Sequence, residues 1–309
     1  MQTIQELLAR DEGSTSDSST AVQYISTVEA YDKWAEVYDT DGNFLQRLDT
    51  IEISRILPRF VECVYDRFRH QLSQSERMIF LDLGCGTGRN TIQLMRTLGA
   101  RGSQDSLTRI DHSSGPEAQV IGLDASPGML EVAKSNIKKV TVEDTTLRDI
   151  PAVILETVDL LQPATVPKHL PPALQEVGAA GVISTLVLEH VPLKDFFKAT
   201  SATMRPGGYL LITNMHADMG LRSQAGFTDP KTGVKIRPTS YCHSIDDVLT
   251  AAAVAGFQVE KMFDWDPLNG VLERSVDGNL VDKLGMRAKK WLGTTVWFGV
   301  CFSKRTSER

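Results

Sequence analysis

The stretch from Met78 to Arg89, reading Met-Ile-Phe-Leu-Asp-Leu-Gly-Cys-Gly-Thr-Gly-Arg, constrains the fold of this chain more than any other. Five of its first six residues are apolar, the pattern of a strand buried on both faces in a parallel sheet. Gly84, Gly86 and Gly88 follow at alternate positions. Lacking a Cβ, they let the backbone turn sharply and come close to a ligand. Asn90 to Leu98 then reads as a helix with Ile92, Met95 and Leu98 on one face. Strand, glycine turn and helix together set backbone amides at a helix start against a bound group.

Before this stretch, residues 10–20 are polar and low in complexity, and 1–22 is expected to be a disordered tail. Tyr31, Trp34, Ala35 and Tyr38 fall at helical spacing. That spacing suits an amphipathic helix burying an aromatic stripe, or a lid whose rings face a cofactor. Asp49 to Phe68 is a second helical pattern, interrupted by Pro58. After the glycine turn and its helix, Gly99–Ala118 reads as a polar surface insertion. Gln119 to Asp124 is a short strand ending in an acid, and Ser126-Pro127 opens a helix with a cap and a first-position proline. Val140–Val142 and Ala152–Val158 are rival strands. The second is preferred because Asp159 and a proline-bearing loop follow it. Gly181–Leu188 is a buried strand, Glu189–Pro192 a loop, Leu193–Met204 a helix, Arg205–Gly208 a turn and Tyr209–Thr213 a strand. Met215–Tyr241 reads as a long polar loop, and loops of that length are commonly functional. Ser244-Ile-Asp-Asp247 resembles a capping box for the helix Val248–Ala255. Phe257–Phe263 alternates as a strand, Asn279–Leu292 reads as helical, and Thr294–Phe302 is a closing strand. Strands and helices thus alternate, which is α/β architecture on a mainly parallel sheet.

Composition removes several function classes. Hydrophobic residues make up 41% and charged residues 23% of the 309, the proportions of a soluble globular protein. The net charge of −6 offers no basic field for nucleic acid or an anionic membrane. No apolar run approaches the ~20 residues that span a bilayer. The N-terminus lacks a signal-peptide core. Cys63, Cys85, Cys242 and Cys301 are scattered without a C-x-x-C pair, which argues for a reducing compartment and a cytoplasmic location. No cluster with metal-ligand spacing is seen.

Two nucleotide readings compete for the turn. A dinucleotide fingerprint would place its third glycine at position 89, which is Arg89; here the spacing is G-x-G-x-G. Asp124 suits either reading, since a carboxylate at the end of the second strand can accept both hydroxyls of a ribose. It lies 40 positions beyond Gly84, against about 20 in a usual βαβ unit. Removing the 20-residue insertion restores that length.

Leu81-Asp-Leu-Gly-Cys-Gly-Thr-Gly88 resembles the first motif of the class I S-adenosylmethionine-dependent methyltransferases. The resemblance extends to Gly122–Ser126 with Met129-Leu130, to Ser184–His190 and to Arg205–Tyr209, four motifs in order. Tyr31–Tyr38 resembles the lid helix of small-molecule members, and the chain is similar in particular to methyltransferases of fungal secondary metabolism. The resemblance implies a doubly wound, seven-stranded, mostly parallel Rossmann-like sheet with an N-terminal helical lid and an antiparallel last strand. It divides the chain into a tail (1–22), a lid (23–76), a cofactor-binding core (77–263, with a substrate loop at 215–241) and a C-terminal completion of the sheet (264–309). Asp82 and the turn Gly84, Cys85, Gly86 and Gly88 are implied to line the methionine end of S-adenosylmethionine. Asp124 is implied to hold the ribose, Ala125 or Met129 to flank the adenine, and Asp159 to accept from the adenine amino group, with Asp144 as the rival. Thr185 and Leu186 are implied near the amino-acid or ribose part. Tyr31, Trp34 or Tyr38 are implied to face the sulfonium through cation–π contact, about 0.5–2 kcal/mol.

The reaction implied is in-line methyl transfer to an O, N or S atom of a small molecule, a secondary metabolite. His190 and His216, after the fourth and fifth strands, are candidate bases, and His243 stands in the long loop. Adenine N-methyltransferases carry Asn/Asp-Pro-Pro-aromatic where this chain has Ser184-Thr-Leu-Val, so nucleic acid is not the expected substrate. The alternative is a methyltransferase-like regulatory or partner subunit that keeps the fold. Intact glycines and Asp124 argue for the enzyme.

Overall fold

The computed structural model describes residues 3–6, 22–72, 76–102, 116–143, 151–159, 161–162, 169–262 and 269–306. The first buried run forms a strand, β2 (Met78–Leu83), with every side chain shielded on both faces. Around it lie β3 (Ala118–Asp124), β4 (Ala152–Thr157), β5 (Ala179–Thr185), β6 (Met204–Met215), β9 (Phe257–Val259), β10 (Val271–Ser275) and β11 (Thr295–Lys304). The sheet order is β10-β11-β6-β5-β2-β3-β4, and β9 shares the outer edge of β11 with β10. β2 to β6 run parallel and β11 is antiparallel to its neighbours, as the resemblance implied, but among the described residues the sheet has eight strands rather than seven, because β9 and β10 both pair with β11. From β2 the chain proceeds outward through β3 and β4, then returns to the other side of β2 as β5. That reversal opens a crevice at the carboxyl ends of β2 and β5, where open α/β sheets bind ligands.

Alternation along the strands feeds two cores. Phe80, Val120, Ile183, Leu211 and Trp297 face one side, with α2 (Phe44–Phe68) and α3 (Arg89–Gly102). Leu81, Ile121, Val182, Leu210 and Phe298 face the other, under α6 (Leu193–Thr203) and α8 (Ile245–Val254). α4 (Pro127–Glu143) starts as the sequence predicts: the Ser126 hydroxyl accepts the Met129 N–H at 3.1 Å.

Several expectations need correction. Pro58 does not interrupt α2; it sits on the exposed face, where the carbonyl left without its helical partner meets solvent. The first helix runs on to Gly102, so the insertion begins later, and residues 103–115 lie outside the described residues. Val140 to Val142 belong to α4, and Ala152–Thr157 is the strand. Asp144 lies outside the described residues. β5 ends at Thr185, and Leu188–His190 is a 3-10 turn. Arg205–Gly208 continues β6 opposite an irregularity in β5. Asn279–Leu292 divides at Gly285 into a helix, α9 (Gly278–Leu284), and a 3-10 turn, Met286–Trp291. Phe257–Val259 is shorter than expected, and Phe263 lies outside the described residues.

The long polar stretch is the largest departure. It holds α7 (Ala217–Gly220), β7 (Phe227–Thr228) and β8 (Lys235–Pro238). β8 pairs in parallel with β1 (Val22–Ile25), giving a second sheet of order β1-β8-β7. Thr3–Glu6, expected within the tail, is docked on this region: Thr3 bridges Tyr241, the Ile4 N–H reaches the Ser240 carbonyl at 2.8 Å, and Ile4 is buried. Residues 7–21 lie outside the described residues.

Candidate functional site

At the β2/β5 crevice the glycine turn lies under a short lid helix, α1 (Thr27–Trp34), and the turn that follows it. A cleft of about 730 Å³, its open mouth included, runs along the carboxyl ends of β2, β3 and β5. A Cβ on Gly84 would fall 2.3 Å from Val187 Cγ2, so the chain after β5 packs directly on the turn. Gly86 has φ +54 and nothing within 4 Å of its Cβ position: it leaves its backbone open to the cleft.

Asp124 stands at the end of β3 with its oxygens aimed by backbone donors. Gly86 N–H reaches Oδ2 at 2.8 Å and Ser126 N–H reaches Oδ1 at 2.9 Å. Each oxygen keeps a second lone pair for an incoming hydroxyl. Burial raises the Asp124 carboxyl, and the backbone N–H groups of Ser126, Gly86 and Ala125 oppose that rise. Asp82 lies beneath the turn. Its Oδ2 accepts from the Thr91 hydroxyl at 2.6 Å, its buried Oδ1 has no partner, and burial pushes it up to about 7.

Of the residues singled out from sequence for the cofactor, Tyr31, Tyr38, Gly84, Gly86, Asp124, Ala125, Asp159, Thr185 and Leu186 border the cleft, as does the candidate base His190. Five others do not. Asp82 is below it. The Cys85 sulfur turns toward Gly122, and Gly88 serves helix packing, since a Cβ there would meet Ala133 at 3.2 Å. Met129 is fully buried in the small core under the lid, so it cannot flank a base. Trp34 stacks on Phe227 at 5.1 Å and donates Nε1–H to Asp41 at 2.9 Å, on the far side of the lid. In their place Thr27, Val28, Leu83, Val158 and Leu161 complete the cleft walls. Asp159 is held locally, accepting from Leu161 N–H at 2.8 Å and Gln162 Nε2 at 3.0 Å.

Three polar contacts fasten the lid. Asp32 accepts from the Ser126 hydroxyl at 2.5 Å and Gly128 N–H at 2.9 Å, so it sits at the N-terminus of α4. Asp39 accepts from Thr87 Oγ1 at 2.7 Å and Asn136 Nδ2 at 3.2 Å. The Tyr31 hydroxyl meets His190 Nε2 at 2.7 Å. His190 Nδ1 lies 3.1 Å from the Thr239 carbonyl, which can only accept, so Nδ1 carries the proton and Nε2 receives the tyrosine's.

The other two candidate histidines, His216 and His243, are structural. His216 caps α7 through Nδ1, accepting from Asp218 N–H at 3.1 Å, and its Nε2 lies 3.1 Å from Glu273. It borders neither cavity. His243 Nε2 is shared between the Leu188 and Val191 carbonyls at 3.0 and 3.2 Å, bracing the turn after β5. Leu186, at the head of that turn, is a non-glycine residue at φ +57, a conformation that surrounding structure must enforce.

Beyond Tyr31, Tyr38 and Leu186 lies a second chamber of about 900 Å³, its open mouth included, bordered by those same three residues and reaching α7 and the 3-10 turn Met286–Trp291. Glu189, which sequence reasoning left in a loop, borders it. Its Oε2 is buried and unpartnered. Burial pushes Glu189 up to about 7 and takes His190 down to about 4. Between the ordinary 4.5 and about 7, the unfolded chain has lost the Glu189 proton that the folded chain keeps. Glu189 therefore lowers stability as pH rises through that window. His190 acts oppositely, lowering stability as pH falls from 6.5 toward about 4. Thermal unfolding should therefore show the Tm of Glu189→Gln gaining on wild type from about pH 5 to about pH 7.5. A difference that stays constant would place the Glu189 titration outside that window.

The methyltransferase-domain sequence profile matches residues 74–232, just over half of the chain. Over 308 residues the chain is 49% identical to an uncharacterized methyltransferase of Emericella nidulans, covering 97% of this chain and 99% of that one. Among solved structures, it is similar to magnesium protoporphyrin IX methyltransferase from Synechocystis with bound SAH, at TM-score 0.48 and 16% identity over 89% of this chain and 94% of that one. It is also similar to an S-adenosylmethionine dependent methyltransferase from Mesorhizobium loti, at TM-score 0.44 and 18% identity over 76% and 95%. The profile match and the near full-length relative place the chain among the class I S-adenosylmethionine-dependent methyltransferases.

Proposed function

We propose that this enzyme methylates an O, N or S atom of a small molecule, a secondary metabolite, within the cytoplasm. The observation that carries the small-molecule reading is the chamber that shares Tyr31, Tyr38 and Leu186 with the cleft and lies under the lid. Among the described residues, no helix is long and apolar enough to cross a membrane. The secondary-metabolite assignment is supported by the resemblance of the motifs to enzymes of that kind.

The cleft residues suit S-adenosylmethionine. Asp124 would take the ribose diol on its free lone pairs, and the open backbone at Gly86 would admit the methionine end. Ala125, Val158 and Leu161 would flank the adenine, with Asp159 toward its amino group. When bound, the cofactor supplies a methyl group on a sulfonium, already activated to leave. Tyr31 and Tyr38 would shield that position from water and stand at the passage to the acceptor. We assign residues 23–76 to the lid, 77–263 to the cofactor-binding core and 264–309 to completion of the sheet.

His190 is assigned a holding role. Its free nitrogen already receives the Tyr31 proton, and a group near 4 is a weak base at neutral pH. Tyr31→Phe removes one neutral hydrogen bond, worth about 0.5–1.5 kcal/mol, so S-adenosylhomocysteine should dissociate about two- to tenfold faster in stopped flow. An unchanged rate would show that this contact does not hold the lid. The reading as a whole is tested by incubating purified protein with methyl-labelled cofactor and fungal metabolite extracts. Label in a small organic product supports it; label confined to protein or nucleic acid would overturn it.

A further inference from the structure

The second chamber is charged unevenly. Its outer end carries Lys235, half-buried on β8, and the exposed Arg287 and Lys290 on the 3-10 turn. Among the described residues none of the three has a carboxylate in ion-pair range. Arg287 donates to the backbone carbonyl of Asp41, Lys290 lies 5.0 Å over the Trp291 ring, and Lys235 reaches the Gly226 carbonyl at 3.5 Å. The Asp41 carboxylate, nearby, is already engaged by Trp34 Nε1–H and Asn43 N–H, both at 2.9 Å. Burial, then the charges of Arg237 and Arg287, lower the Lys235 pKa. Three cations around the single Asp41 carboxylate leave this end net positive, which favours an incoming anion.

The inner end has the opposite character. Glu189 and Gln224 both border the chamber, and each holds a buried acceptor, Oε2 and Oε1, with no donor. Phe44, Met215, Met219 and Trp291 supply apolar wall.

We propose that this chamber selects an acceptor with an apolar body, an anionic group (carboxylate or phosphate) held by Lys235, Arg287 and Lys290, and a hydroxyl presented to Glu189. The inference rests on the small-molecule methyltransferase reading above. In the step it implies, the acceptor oxygen bonds to the methyl carbon as the carbon–sulfur bond breaks. The bonding pair stays with sulfur, and the hydroxyl proton passes to the Glu189 carboxylate. Tyr31, Tyr38 and His190 face Glu189 as neutral groups, so of these four the carboxylate is the one that takes that proton.

The test uses the full-length protein saturated with S-adenosylhomocysteine. Three matched probes, 6-hydroxy-2-naphthoate, 6-hydroxy-2-naphthyl phosphate and 6-hydroxy-2-naphthamide, are titrated by saturation-transfer NMR. At least one acid should bind about tenfold tighter than the amide at low salt, and the preference should fall in about 0.5 M NaCl. The carboxylate and phosphate arms distinguish the two anions. Combined Lys235→Met, Arg287→Gln and Lys290→Gln should erase the preference while S-adenosylhomocysteine affinity stays as in wild type. Equal binding of the amide, a preference that survives the triple substitution, or no binding of either acid would overturn the proposal. Failure of the wild-type protein to bind S-adenosylhomocysteine would instead strike the parent reading.

Discussion

Asp124→Ala should abolish measurable S-adenosylmethionine binding while leaving the chain folded. Two backbone N–H groups fix the Asp124 carboxylate at the β3 end, so its free lone pairs are aimed without further ordering cost. Hydrogen bonds from a diol to a charged group contribute about 1.5–3 kcal/mol each, and losing two corresponds to roughly a 10²–10⁴-fold weaker Kd. Titration calorimetry reads the loss directly. Asp124 belongs to no hydrophobic core, and Gly86 is open to water in the cleft. Tm should therefore change far less than affinity. Asp124→Asn keeps one acceptor oxygen and should fall between the two proteins. Wild-type affinity in Asp124→Ala would remove the ribose assignment and, with it, the orientation of everything placed around it.

The parts of this site that were legible in the sequence share a physical cause: each is local. Met78–Leu83 is buried on both faces, so its apolar run is continuous, and the open backbone at Gly86 follows within a few residues. Ala152–Thr157 was separable from Val140–Val142 because an acid and a loop closed it, while Val140 continues the helix of Ala133 and Ile137. What stayed hidden depends on pairing at long range. Val22–Ile25 and Lys235–Pro238 join in parallel with no turn between them, and their mixed composition gives neither a buried run nor clean alternation. Trp34 and Tyr31 share a helical face, but that face lies on the boundary of two cavities and its rings divide between them. Met129 follows the aspartate as expected, yet its helix turns it into the core beneath Trp34 and Phe227. Gly88 was grouped with the ligand turn although its neighbour is Ala133. The second chamber draws on segments scattered from Tyr31 to Trp291, and no spacing rule could have gathered them.

Asp49→Ala should destabilise the protein by about 3–5 kcal/mol, because this carboxylate is a fully buried node joining four elements. From α2, Asp49 Oδ1 accepts from Thr213 Oγ1 of β6 at 2.6 Å and from Trp297 Nε1 of β11 at 3.0 Å. Its Oδ2 accepts from Arg89 Nη2 at 2.8 Å and Asn90 Nδ2 at 3.0 Å, the first residues of α3. The node thus explains Arg89, the residue that breaks the dinucleotide fingerprint: its guanidinium ties the helix behind the glycine turn to the lid-side helix. Removing the carboxylate leaves the buried Trp297, Thr213 and Asn90 donors facing a void, each worth about 1–3 kcal/mol when unsatisfied. Arg89, partly exposed, recovers some hydration, which holds the total below the plain sum. For a domain of this size the loss corresponds to a Tm lower by roughly 6–15 °C, read by calorimetry or circular dichroism. Asp49→Asn should recover only part of it, since an amide must turn its N–H groups toward donors on one side. Asn90 also donates to Thr185 at 2.8 Å on the cleft wall. Cofactor affinity should therefore fall in the same variants, by less than in Asp124→Ala, linking the stability of this buried node to the shape of the site above it. A Tm within about 2 °C of wild type would mean that the four donors find other partners and that the node is not what holds the turn in place.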